Sequence, residues 1–236
     1  VAAAPGSGYS CSKLTAACLA WGVPATSLSF YATLPSGLIS GSIVRYCLPV
    51  VQVLWALLAS THVLLGAVTN TWTKGVIGAA MGYMMCYGSK VGWYHRIFLP
   101  IIVLELAAGG GSIWGAIDLC ALCMVAAGLC AAHLLRPKHQ TDIPLARRGF
   151  RINLCFGDFI EAAYPFMERC SWCNTGGYIG SALSGAVLAV VGVRSSAYLP
   201  LPLAFAICDE PLWLVAATSA AFLPAFLCGV WRGGSS

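Results

Sequence analysis

Three ionisable side chains lie inside long apolar stretches of this chain: His62, Glu105 and Asp118. A charge near the centre of a bilayer costs at least about 2.5–3.5 kcal/mol on insertion scales, so residues of this kind usually face a bundle interior and serve ion or proton movement. Glu105 stands five residues before Gly110 and Asp118 eight residues after it. If the chain turns back at the glycines, those offsets put the two carboxylates roughly 7 and 12 Å below the turn on facing helices. Carboxylates sharing such a site hold a proton or a cation between them, and His62 adds a group that titrates near neutral pH. The chemistry expected of this set is a cation or proton path between helices. The plainer alternative is that each is a core polar group bonded to nearby Ser, Thr or backbone.

The sulfur chemistry is thinner than the count of 12 cysteines implies. Cys18, Cys47, Cys86, Cys120, Cys123, Cys130 and Cys228 fall in apolar runs, where a thiol behaves as a small hydrophobe. Cys120, Cys123 and Cys130 share one helical face, a small-residue stripe suited to close helix packing. Cys170-Ser-Trp-Cys173 stands instead beside charged residues. With Cys155 and His139 it could form a Cys₃His zinc site, although a second paired motif is missing. A C-x-x-C can also do redox work, while acylation or plain packing is the reading its spacing favours. No catalytic residue and no cofactor is expected. There is no Walker A, G-x-S-x-G or H-E-x-x-H motif, and no lysine for a Schiff base in the last apolar run.

The elements that must position these residues follow from composition. Of 236 residues, 59% are hydrophobic and only 9% charged, with a mean hydropathy of +0.81; soluble domains carry about 25% charged residues. That balance excludes an ordinary cytosolic enzyme, a disordered chain and a nucleic-acid-binding domain, and names the lipid bilayer as a partner. A β-barrel would need short strands of alternating polarity. Blocks such as Cys47–Ser60 are instead continuously apolar, so their backbone can be satisfied in lipid only as helix. The sequence therefore predicts an all-α polytopic transmembrane bundle of about seven spans, with a range of five to seven. They are expected near 14–34, 46–68, 75–88, 97–108, 113–135, 176–193 and 212–231, all within one domain, 1–236. The run 97–135 is roughly 58 Å long as a single helix, too long for one crossing, and Gly109-Gly110-Gly111-Ser112 is where it should break into a hairpin.

With the N-terminus outside and the C-terminus inside, ten Lys and Arg residues fall on the inner side and three on the outer, in accord with the positive-inside rule. Five of the ten lie in the basic loop 136–151. Segment 150–173 mixes apolar residues at helical spacing with charges and is expected to lie along the inner surface as an amphipathic helix kinked at Pro165. Arg147, Arg148, Arg151 and Arg169 are its interface residues, as orientation signal or as contacts to anionic lipid. Asp209-Glu210-Pro211 reads as a helix start.

These features suit a small channel or transporter for a cation or protons, self-associating or joined to partner membrane subunits. A non-catalytic membrane scaffold or assembly protein is the alternative. It includes a product of a viral polyprotein, since the chain opens on Val1 and not on Met. A membrane thiol oxidoreductase using Cys170 and Cys173 is a third.

Overall fold

The computed structural model describes residues 65–107, 111–197 and 199–231, together with Gln52, Val53 and Ala56. The span expected at 14–34, most of that at 46–68, and His62 lie outside the described residues. The elements below all belong to one unit, Leu54–Ser236.

The described chain is helical throughout, without a strand among the described residues. Helix α1 runs Thr71–Lys90, opened by the Asn70 side chain, which accepts from the Trp72 N–H at 2.9 Å. A π turn, Tyr94–Phe98, leads into α2, Leu99–Ala107. Helix α3, Ile113–Leu135, is continuous but has a π-helical stretch at Leu119–Met124. Helices α4 (Ile143–Cys155), α5 (Tyr164–Arg169), α6 (Ser171–Val191), α7 (Leu201–Ile207) and α8 (Pro211–Trp231) follow. Gly192, at φ +82°, closes α6 in the left-handed conformation that suits glycine at a helix C-terminus.

Helix α3 is the centre of the bundle. Every residue from 112 to 130 is buried, as expected for a helix that is apolar all round. Helices α4 and α8 pack on it, α6 packs on α8, and α1 packs on α6. The α1–α6 and α6–α8 seams are built on small residues. A Cβ added at Gly78 would strike the carbonyl of Gly185, one at Gly82 the carbonyl of Ser181, and one at Gly180 the carbonyl of Ala221. Backbones this close gain dispersion contact without large side chains, the mode that helices use in lipid, where apolar side chains have no water to escape. The outer faces are correspondingly apolar: Val76 and Met84 on α1, Ile179 and Leu183 on α6, and Leu212, Leu223 and Trp231 on α8 are all exposed.

Five of the seven expected spans coincide with described helices, but among the described residues only two helices, Ile113–Leu135 and Pro211–Trp231, are long and apolar enough to cross a membrane. Helices α1 and α6 have the length, at 20 and 21 residues, yet their glycines, serines and threonines lower their apolarity. Within 97–135, α3 starts at Ile113 behind Ser112, whose backbone is extended; residues 108–110, with Gly109 and Gly110, lie outside the described residues.

Segment 150–173 departs from the single kinked helix expected of it. Helix α4 reaches back into the basic loop and stops at Cys155, and the chain then turns at Gly157, which takes φ +120°. The Asn153 side chain holds that turn, accepting from the Phe159 N–H at 2.9 Å and donating to the Gly149 and Phe159 carbonyls at 2.8 and 3.1 Å. Pro165 does not kink a helix; it sits in the first turn of α5, where its missing N–H costs nothing.

Candidate functional site

Glu105 is buried at the end of α2 and aims at the start of α3. Its carboxylate accepts from the N–H groups of Ile113 and Trp114 at 3.1 and 3.2 Å and from the Ser112 hydroxyl. Ser112 in turn accepts from the Gly115 N–H at 2.7 Å. Those amides are donors that a helix leaves unmet at its first turn, so the acid and the hydroxyl together cap α3, aided by the helix dipole. Arg194 approaches the same carboxylate at 3.6 Å from the segment after α6. Ser112 and Ser195 exchange backbone hydrogen bonds of 2.8 and 3.1 Å beside it.

Asp118 lies a turn and a half deeper and keeps different company. It is fully buried, and its Oδ1 accepts from the Tyr94 hydroxyl at 2.8 Å. Its Oδ2 has no hydrogen-bond partner among the described residues. The residue directly precedes the π-helical stretch Leu119–Met124, an irregularity that recurs at functional positions in helices. The structure therefore gives the two acids separate partners: Glu105 caps α3 from the end of α2, and Asp118, in the body of α3, takes the Tyr94 hydroxyl.

A second acid stands near Asp118. Asp158, in the connection between α4 and α5, is close enough for its charge to bear on that of Asp118. Burial, with the neighbouring charge of Glu161, pushes the Asp158 carboxyl up to about 7, although the Ile160 N–H donates to it at 3.1 Å and pulls the other way. Nearby, the Tyr164 and Ser89 hydroxyls are 2.6 Å apart, tying α5 to the end of α1. Reading by apolar runs misses Asp158 and Tyr94. One falls in a segment expected to lie along the membrane surface, and the other is one of several aromatics near a helix end. Gly157 next to Asp158 is the one local sign that the chain turns there.

The sulfur residues are dispersed. Cys155 is exposed at the end of α4, Cys170 is half-buried, and Cys173 is buried in α6. His139 and Cys170 both line a cavity of about 490 Å³ with Lys138, Asp142 and Arg169, but no group of three or more His, Cys, Asp or Glu is placed to hold a metal among the described residues. In that cavity Arg169 forms a bifurcated pair with Asp142 at 3.1 Å. His133 stacks on Phe166 with ring centres 3.7 Å apart, and its Nδ1–H donates to the Leu129 carbonyl at 2.8 Å. Arg147, Arg148 and Arg151 are exposed on α4, and Arg148 lies over the Phe159 ring at 5.8 Å.

Compared with protein-family models, with curated proteins and with solved structures, the chain matches none.

Proposed function

We propose that this chain is a multi-pass membrane protein that moves a cation or protons between its helices, with Asp118 as the group that takes up the ion. The observation that carries this reading is the Asp118 carboxylate itself: fully buried in an apolar helix, bonded through one oxygen to Tyr94, its other oxygen without a partner among the described residues. A carboxylate in that setting is costly to keep charged and alone. Binding a proton or a cation at Oδ2 removes the cost, and releasing it restores it. Asp158 offers the next acceptor toward the α4–α5 connection, while Tyr94 orients the carboxylate. Helices α1 and α6 cross the bilayer with α3 and α8 in this reading, their small-residue seams turned inward and their apolar faces to lipid.

The test is flux of protons and of monovalent cations into liposomes holding the purified chain. Wild type should conduct, and Asp118→Asn, which keeps the shape and loses the charge, should abolish flux while its unfolding temperature stays within a few degrees of wild type. Equal flux in both proteins would remove Asp118 from the path. No flux from folded wild type would favour the second reading, a non-catalytic membrane scaffold that self-associates. The wide exposed apolar face of α8, from Leu212 to Trp231, supports that reading.

A further inference from the structure

One face of α4 is buried and the other carries an unbalanced charge. Ala146, Gly149 and Asn153 turn inward, and a Cβ placed at Gly149 would lie 2.8 Å from the Cys130 sulfur of α3. Arg147, Arg148 and Arg151 point away from this contact and are exposed. Among the described residues none of the three has an acidic partner, whereas Arg169 is paired with Asp142. The three guanidinium groups border a shallow groove of about 430 Å³ whose apolar wall is Ile143, Ile152 and Phe156, and Phe156 is 72% exposed.

We infer that this groove binds the phosphate of an anionic phospholipid, with an acyl chain laid against Ile143, Ile152 and Phe156. Guanidinium forks match phosphate oxygens in pairs. A soluble phosphate would gain nothing from an exposed phenylalanine beside them, whereas a lipid has both a charged and an apolar part. The position fits as well, because α4 packs on the last turns of α3, a helix of membrane-crossing length. Its outward face therefore sits where the end of such a helix meets headgroups. Each arginine near an anionic surface contributes about fivefold in affinity.

Detergent-solubilised full-length chain, mixed with equal amounts of phosphatidylglycerol and phosphatidylcholine, is read by native mass spectrometry for the lipid it retains. Wild type should retain phosphatidylglycerol in roughly hundredfold preference, the product of about fivefold from each of the three arginines. Replacing all three residues (Arg147→Gln, Arg148→Gln, Arg151→Gln) should bring the preference close to one, and Lys138→Gln, at the same end of the bundle, should leave it intact. Unchanged circular dichroism of the triple variant ties the loss to the groove. Should that variant lose helicity, the charge-keeping set Arg147→Lys, Arg148→Lys, Arg151→Lys is compared with Arg148→Gln alone, and a preference retained by the first and weakened in the second carries the same conclusion. The inference is overturned if the glutamine triple variant keeps its preference, or if millimolar inorganic phosphate abolishes lipid retention by wild type, which would make the site one for free phosphate. Retention is measured without flux, so the result is independent of the role proposed for Asp118.

Discussion

A carboxyl group that keeps its proton almost to neutrality is an unusual possession, and at Asp158 the causes are burial and the charge of Glu161. Because the folded protein raises this group from 3.8 to about 7, folding favours the protonated form. The stability that it contributes is fully present below the unfolded value and is lost as the pH rises through the folded one. The unfolding temperature of wild type is therefore expected to fall between those two values, and Asp158→Asn, which resembles the protonated acid, should flatten the decline. Thermal unfolding of both proteins across that window checks this, and parallel curves would show that another group is responsible. The apolar setting of Glu105 and Asp118 was legible in the sequence, since an acid within an apolar run needs no fold to be noticed. Their partners were not. Tyr94 reaches Asp118, and Arg194 reaches Glu105, from elements whose rotation about their own axes no residue spacing states.

Among the elements, α3 was the most legible: a glycine cluster and a long apolar run placed its limits at Ile113 and Leu135. Segment 150–173 was the least, because the helical spacing of its apolar residues continues through a turn imposed by one glycine at φ +120° and one asparagine side chain. The glycine seams make the sharpest demand on sequence. Gly185 of α6 faces the Gly78 carbonyl with no room for a Cβ, so Gly185→Val must push α1 and α6 apart, at about 1–3 kcal/mol or more. At Gly75 the nearest atom to an added Cβ is Val190 Cγ2 at 3.5 Å, an ordinary contact. Gly75→Ala should accordingly be neutral or gain about 0.4–1 kcal/mol by restraining the unfolded chain. Unfolding in detergent distinguishes the two, and similar values for both would show that the seam is looser than its geometry.

At the scale of the whole molecule, the proposed topology assigns the stretch from Arg136 to Arg151 to the side that holds the C-terminus. Trypsin cuts after exposed arginines. Added to sealed vesicles with that side outward, it should cleave at Arg147, Arg148 or Arg151, and vesicles of the opposite orientation should protect these bonds. Cleavage from the other side alone would invert the topology, and the positive-inside count would lose its meaning for this chain. Two helices of crossing length and apolarity make the bilayer an economical explanation of a surface that displays Trp72, Leu212 and Trp231.

The π-helical stretch after Asp118 has a consequence for chain length at this point. A wider turn accommodates one residue more than an α-helix over the same rise, so the part of α3 that carries Asp118 is set out of phase with Val125–Leu135 by roughly 100°. Deleting one residue between Leu119 and Met124 would restore a plain helix and swing Asp118 onto another face, away from the Tyr94 hydroxyl, with every named side chain of the site still in the sequence. A homologous chain one residue shorter in this stretch would carry the same aspartate in a different place.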